Sequence, residues 1–168
     1  SVPSIMRGDA PVSSSRIRRL ISIGRLAHAG RLLGRPPALY GTVVRGVGRG
    51  HRIGFPTANV RLTSHVLPPR GVYAVLTHAM PARLSSATSR WRPWRGVMNL
   101  GVRPTFGHGP LTCEVHLLDF SGNLHGRPLC LSLLARLRGE RRFPTLEALS
   151  RQIQRDIARA RRLFTLRS

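Results

Sequence analysis

Length, composition and charge set the first limits on what this chain can be. It has 168 residues with a hydrophobic fraction of 41%, and its 28 basic residues, all of them Arg, face only six acidic ones. That length suits one domain with a hydrophobic core and is short for two catalytic modules. The first residues lack the apolar core of a secretory signal, and no apolar run approaches the ~20 residues of a membrane span, so no membrane partner is expected.

The first third of the chain changes from helical to β patterning. Residues 1–12 lack periodicity and are predicted to be a loose lead-in. Residues 13–37 predict two short helices, the first capped within Ser13 to Ser15 and stopped at Gly24, the second stopped at Gly34. After that segment, short β-branched runs alternate with Gly and Pro, which favours an antiparallel barrel or sandwich over a parallel sheet.

Five strands are predicted from this pattern. They lie at about 38–45, 71–78, 95–101, 111–118 and 128–137, with loops at 46–56, 61–70, 79–94, 102–110 and 119–127.

A long helix is predicted at the C-terminal end. Thr145 is its expected N-cap, and Glu147 lies in the first turn, where a carboxylate suits the helix dipole. The apolar stripe of this helix should close one side of the barrel. The stripe comprises Leu146, Leu149, Ile153, Ile157, Ala160 and Leu163 or Phe164.

The two cysteines, Cys113 and Cys130, show no CxxC spacing. Neither a zinc site nor a disulfide scaffold is therefore indicated, and a reduced, cytoplasmic setting fits best.

The first candidate site is the loop 46–54, which holds four glycines and two arginines after a strand. Glycines let consecutive backbone N–H groups turn toward an anion, so Gly48, Arg49, Gly50 and Gly54 are candidates for binding phosphate. The spacing matches neither a P-loop nor a Rossmann fingerprint. A Gly-rich loop that serves only as a turn is the more common alternative.

The second candidate follows directly, in the sequence Gly54-Phe55-Pro56-Thr57-Ala58-Asn59. Thr57 and Asn59 share a face in extended backbone, so a hydroxyl and an amide oxygen could approach one Mg²⁺ ion or one phosphate. On these residues alone, a polar turn fixed by Pro56 is the simpler interpretation.

The third candidate is Glu114, whose face also carries Thr112 and His116. A carboxylate can accept the proton of a substrate hydroxyl during phosphoryl transfer. A Glu on a strand is usually only solvated, but acids are scarce in this chain, which favours a role for Glu114. His116 is better explained as a structural hydrogen-bonding residue. The charged turn 137–143 either solvates the start of the last helix or contacts an anionic or planar ligand.

Taken together these segments resemble the riboflavin kinase family, in particular the kinase half of the bacterial bifunctional riboflavin kinase and FMN adenylyltransferase. The resemblance runs over residues 39–164 in the family's order. The matching stretches are Gly41 to Val44 with the Gly-rich loop, Gly54 to Asn59, Gly71 to Ala74, Asn99 to Phe106, Glu114 to Phe120, Leu124 to Gly126, and Leu137 to Phe143.

The resemblance implies a six-stranded antiparallel Greek-key barrel over 38–168, with riboflavin phosphorylated to FMN by Mg-ATP. It implies that Thr57 and Asn59 contact Mg-ATP, that the 46–54 loop covers the phosphates, and that Glu114 acts as base on the ribityl 5′-hydroxyl. Arg138, Glu140 and Phe143 would border the flavin. Residues 12–35 are similar to the end of the adenylyltransferase module, so FMN but not FAD is the expected product.

The formal net charge of +22 leaves an alternative open, because it attracts polyanions. The same barrel could be a non-catalytic protein that binds RNA through its Arg-rich surface. The arginines are scattered and Lys is absent, which indicates a coding bias, and the retained Thr57, Asn59 and Glu114 favour the kinase. A flavin-storing barrel is a third, weaker alternative, because it leaves the phosphate loop without a task.

Overall fold

The structure is a computed structural model that describes residues 13–46, 54–80, 92–102 and 110–166. The predicted lead-in of residues 1–12 lies outside these ranges. The helices are α1 (Ser14–Ser22), α2 (Leu26–Leu33) and α3 (Leu146–Thr165). The strands are β1 (Ala38–Val44), β2 (Ala58–Leu62), β3 (Gly71–Ala79), β4 (Trp94–Val102), β5 (Leu111–Leu117) and β6 (Pro128–Gly139). Within the described ranges, none of the helices has the length and apolar character to cross a membrane.

The six strands close into one barrel in the order β1-β2-β5-β4-β3-β6, and every neighbouring pair is antiparallel. Strands β3, β4 and β5 form a meander, and β6 returns to lie on the other side of β3. This arrangement of four strands is the Greek-key pattern. The predicted fold, a mainly β six-stranded barrel with short helices before it and a long helix after it, is confirmed.

Strand β2 is the element that the sequence pattern misses. It is only five residues long, and Val60 is its one buried residue, so the alternation that marks a strand is too short to recognise. Pairing with β1 and β5 holds it in place instead. The prediction of a loop beginning at 61 is therefore wrong, because Leu62 still belongs to the strand. The predicted loops also begin or end one residue off at 79, 94 and 102, which belong to β3 and β4.

Apolar side chains fill both the inside of the barrel and the space beneath α3. The interior cluster contains Leu39, Val43, Tyr73, Val75, Met98, Leu100, Cys113, Val115, Leu129, Leu131 and Leu133. The outer cluster contains Val72, Ala74, Val97, Leu134, Ala160 and Phe164. Helix α3 thus covers one side of the barrel, as predicted.

The predicted start of α3 is confirmed, but its apolar stripe begins later than expected. Thr145 is the N-cap and its hydroxyl accepts a hydrogen bond from the Ala148 N–H at 3.2 Å. Leu146 was predicted to pack on the barrel and is 64% exposed instead. The reason is that the outer cluster is met by the second half of the helix, from Ile157 to Phe164.

The N-terminal helices pack directly on the barrel. Ser13 caps α1, as predicted, by accepting from the Arg16 N–H at 3.2 Å. Gly24 and Gly34, the predicted stops of the two helices, adopt positive φ. Leu26 of α2 joins the interior cluster of the barrel. The Leu133 N–H of β6 donates to the Pro37 carbonyl at 2.8 Å. The 13–37 segment and the barrel therefore share one hydrophobic core.

Candidate active site

A row of three polar side chains crosses the outer face of the barrel on neighbouring strands. Glu114 in β5 pairs with Asn59 in β2 on one side and with Asn99 in β4 on the other. Cβ atoms of directly paired residues lie about 4.5–5.5 Å apart. Cys113 and Val115 point into the core, so alternation turns Glu114 outward, as predicted. We call Asn59, Glu114 and Asn99 the outer row.

Asn59 lies against the start of the Gly-rich loop. Its carboxamide occupies the space that a Cβ atom on Gly46 would need, so any larger residue at this position would displace the Asn59 side chain. Gly46 therefore brings the beginning of the predicted phosphate loop to the outer row. Gly48, Arg49 and Gly50 lie outside the described residues, and Gly54, at the far end of the loop, is exposed with a φ of 80°.

His116 anchors the turn that carries Thr57. Its Nδ1 atom lies 2.8 Å from the Pro56 carbonyl oxygen, and its ring meets Phe55 edge-on at 5.8 Å between centroids. These contacts tie residues 54–57 to β5, two positions from Glu114. The prediction that His116 has a structural role agrees with this geometry. Thr57, half-buried, immediately precedes β2 and so lies two residues from Asn59.

Arg138, predicted to border the flavin, is held by a buried carboxylate of α3. Its Nε atom donates to both carboxylate oxygens of Asp156, at 3.1 and 2.9 Å, and its guanidinium lies 5.5 Å from the centroid of the Phe143 ring. The Gln152 carboxamide donates to the same Asp156 at 2.9 Å. Arg138 and Phe143 therefore meet at the end of β6, with the charge of Arg138 already paired.

Glu140 links the ends of β6 and β4. Its carboxylate accepts a hydrogen bond from the Val102 N–H at 3.1 Å. The same carboxylate lies over Gly101, and the Asn99 amide nitrogen also approaches this glycine. The three residues predicted to border the flavin thus lie at one end of the barrel, on the side of the outer row where Asn99 is found.

A shallow groove of about 420 Å³ lies beside the 54–57 turn, between β5 and α3. Pro56 and His116 form one wall, and Ile157 and Arg161 of α3 form the other. At its edge Arg161 makes a bidentate pair with Asp119, at 2.7 and 2.9 Å. The hydrogen bonds from Arg161 lower the pKa of Asp119 from its usual value.

The oxygen atoms at the outer row define what the site can do. The half-buried Glu114 lies between the strand positions of Asn59 and Asn99, and Thr57 lies two residues from Asn59. The row therefore holds one proton acceptor among neutral hydrogen-bonding groups. Among the described residues no cluster of three His, Cys, Asp or Glu side chains could hold a metal. A hydroxyl and a carboxamide oxygen instead suit a hard cation that is carried mainly by phosphate and water.

Two residues of this region escape the sequence patterns. Asn99 becomes visible only through the register of β4 against β5, which periodicity does not reveal. Asp156 is an acid beside the apolar stripe in the Arg-rich second half of α3, and that unusual placement is the signal that could identify a buried partner for an arginine.

Residues 33–164 match the family model of riboflavin kinase (flavokinase). The chain belongs to the riboflavin kinase family. The resemblance expected from the sequence motifs is thereby confirmed, and it covers the barrel, the outer row and α3.

Three known proteins illustrate the relationship. The bifunctional riboflavin kinase/FMN adenylyltransferase of Escherichia coli K12 is 40% identical over 166 residues, which cover 99% of this chain and 50% of that protein. The RNA-binding riboflavin kinase RibR of Bacillus subtilis is 42% identical over 127 residues, covering 75% and 50%. The solved riboflavin kinase of Trypanosoma brucei is 25% identical with a TM-score of 0.55, covering 76% of both chains. The chain spans about half the length of the curated relatives it matches.

Proposed function

We propose that this chain transfers the γ-phosphoryl group of ATP to the 5′-hydroxyl of riboflavin, giving FMN and ADP. The observation that carries the proposal is the outer row, in which Glu114 lies between Asn59 and Asn99 beside the anchored 54–57 turn. Membership of the riboflavin kinase family supplies the substrate pair. Because both cysteines are free thiols, we keep a reduced, cytoplasmic setting as part of the proposal.

Glu114 is the proton acceptor in this mechanism. The 5′-oxygen of riboflavin forms a bond to the γ-phosphorus while the bond from that phosphorus to the β,γ-bridging oxygen breaks. ADP leaves, and the hydroxyl proton passes to the Glu114 carboxylate. Phosphoryl transfer needs little covalent help from the protein beyond positioning and charge stabilisation. A single positioned carboxylate is therefore a sufficient base.

Thr57 and Asn59 are the residues that would hold Mg²⁺ with the ATP phosphates. Their hydroxyl and carboxamide oxygens fit a cation that keeps several waters and takes most of its remaining ligands from phosphate. When bound, such an ion neutralises negative charge on the phosphates. The His116 contact to Pro56 supports the proposal because it ties the turn that carries Thr57 to β5, and Asn59 is itself paired with Glu114.

The remaining surfaces divide between the two substrates. The groove beside Pro56 adjoins Thr57, so an ATP molecule whose phosphates reach Thr57 can place its nucleoside there. Riboflavin then lies on the opposite side of Glu114, toward Arg138, Glu140 and Phe143. Gly48, Arg49, Gly50 and Gly54 complete the phosphate site in this proposal.

The role of Thr57 can be tested with a pair of variants. Thr57→Val keeps the shape of the side chain and removes its hydroxyl. We therefore expect the Mg²⁺ concentration that half-saturates FMN formation to rise roughly tenfold or more, which is the usual effect of losing one hydrogen bond to a charged group. Thr57→Ser retains the hydroxyl and should stay within about threefold of the parent chain. Equal metal requirements in the Val variant and the parent would remove Thr57 from the metal site.

RNA binding is the second candidate function, and one surface favours it. Arg151, Arg155 and Arg162 are exposed and fall along one face of α3, and a 42% identical relative is named an RNA-binding riboflavin kinase. Eleven residues of helix span about 16 Å, which is long enough for several consecutive phosphates.

Replacing these three arginines with Gln should weaken binding of a single-stranded RNA and lower the slope of log affinity against log salt by about two. The matched control replaces Arg16, Arg18 and Arg19 of α1 with Gln, which removes the same charge elsewhere. If both triple variants lose affinity equally, binding depends on net charge alone and the α3 face is not an RNA site.

A further inference from the structure

Asn99 is the one member of the outer row for which the phosphoryl transfer itself needs no role. It is exposed, whereas its neighbours Met98 and Leu100 are buried in the interior cluster. The flanking outward positions are both covered, Val97 by α3 and Gly101 by the Glu140 carboxylate. Asn99 is therefore the exposed position between two covered ones on the outer face of β4. Its carboxamide can contact a ligand that is bound over Glu114.

The order of residues across the strands suggests which part of a ligand Asn99 contacts. Moving from β2 to β6, the paired residues are Asn59, Glu114, Asn99, Val72 and Arg138. Val72 is apolar and 4% exposed, and the Arg138 guanidinium lies over the Phe143 ring. Polar side chains thus occupy the first three strands, Val72 on the fourth is buried in the outer cluster, and the Phe143 ring lies beyond it beside Arg138. With strands about 4.8 Å apart, Glu114 and Arg138 are separated by about 14 Å along the sheet.

That order matches the order of chemical groups in the acceptor. A riboflavin whose 5′-hydroxyl meets Glu114, with its tricyclic ring toward Phe143, must lay its polyol chain across β4. The position on β4 that faces this path is Asn99. A carboxamide offers both a donor and an acceptor, so it can satisfy a secondary hydroxyl in either direction.

We infer that Asn99 binds the secondary hydroxyls of the ribityl chain and makes this site specific for a polyol-bearing acceptor. The inference rests on the proposed riboflavin phosphorylation, which it refines. Asn99 takes no proton and touches no phosphate in this assignment. It selects the substrate and sets the distance at which the 5′-oxygen reaches Glu114.

The test compares two acceptors in two proteins. One acceptor is riboflavin, and the other is the same ring carrying an unsubstituted 5-hydroxypentyl chain, which keeps the terminal hydroxyl and lacks the secondary ones. In the parent chain we expect kcat/KM to be about tenfold higher for riboflavin, the worth of one or two neutral hydrogen bonds. In Asn99→Leu the kcat/KM values for the two acceptors should become equal. The value for riboflavin should fall, and the value for the 5-hydroxypentyl analogue should stay as in the parent chain. Gln154→Leu, which removes an exposed carboxamide from α3, is the matched control and should keep the parent preference.

Each outcome decides a separate point. If Asn99→Leu lowers kcat/KM equally for both acceptors, Asn99 orients Glu114 or supports the fold, and the inference is wrong. An unchanged preference also overturns it. Asn99→Ser, a shorter side chain that keeps one hydroxyl, guards against misfolding and should show an intermediate preference. Failure of the parent chain to phosphorylate riboflavin would reject the proposed function itself, whereas phosphorylation without discrimination rejects only the role of Asn99.

Discussion

The Glu114→Gln variant is expected to lose about 10²–10⁴-fold in kcat for FMN formation while binding ATP with nearly the parent affinity. Gln has the size of Glu and can hydrogen-bond to a substrate hydroxyl, but it cannot accept the proton. Because the row is fixed by strand register, the exchange should leave the geometry of Asn59 and Asn99 unchanged. Steady-state kinetics measure kcat, and calorimetric titration with ATP and Mg²⁺ measures nucleotide affinity.

Glu147→Gln is the matched control for the loss of one carboxylate. Glu147 is exposed in the first turn of α3, away from the outer row, so its replacement should leave kcat unchanged. Parent-like turnover in Glu114→Gln would exclude Glu114 as the base. A loss of ATP affinity as large as the loss of kcat would assign Glu114 to nucleotide binding instead.

Replacement of Asp156 is expected to have a large effect on the stability of the folded chain. The Asp156→Ala variant is expected to lose about 3 kcal/mol or more of its free energy of unfolding, since it leaves the Arg138 cation without its partner in a mostly buried position. The side chains of Asp156 and Arg138 are 7% and 17% exposed, so water can compensate only in part. The loss would be read from the denaturant midpoint at constant slope in urea unfolding.

Two comparisons make the Asp156 experiment specific. Asp119→Asn breaks the other ion pair of the described residues, between exposed side chains, and should have a far smaller effect on stability. The double variant Asp156→Leu with Arg138→Met replaces the buried pair by apolar groups and should be more stable than Asp156→Ala. If the double variant is no more stable than Asp156→Ala, an unpaired buried charge is not the cause of the loss.

Local sequence patterns predict most of the helices and strands of this fold. They fail where a strand is held in place only by pairing with its neighbours. Alternation along β5 places Cys113 and Val115 inside and Glu114 outside, and caps at Ser13 and Thr145 start helices where the residue types predict them. Strand β2 has no comparable local signal. Two flanking strands supply its hydrogen bonds, which a single segment cannot reveal.

The sequence predicts only some of the residues of the candidate site. Thr57, Asn59 and Glu114 were identified as candidates, and the register pairs Asn59 with Glu114 and places Thr57 two residues from Asn59. Asn99 lies in a stretch that resembles the family, but the sequence gives it no role, because its place beside Glu114 depends on how β4 and β5 align. The flavin roles of Arg138, Glu140 and Phe143 stay predictions. The structure adds that Arg138 and Glu140 already bind Asp156 and the Val102 amide, so they shape the end of the barrel as well.

Formation of labelled FMN would show directly whether this barrel phosphorylates riboflavin at the outer row. The purified chain would be incubated with riboflavin, Mg²⁺ and γ-labelled ATP, and the flavins separated by chromatography, with Glu114→Gln assayed in parallel. We expect label in FMN from the parent chain and a rate at least about 10²-fold lower from the variant. A folded parent chain that forms no labelled FMN would rule out the proposed kinase activity and leave RNA binding as the function to pursue.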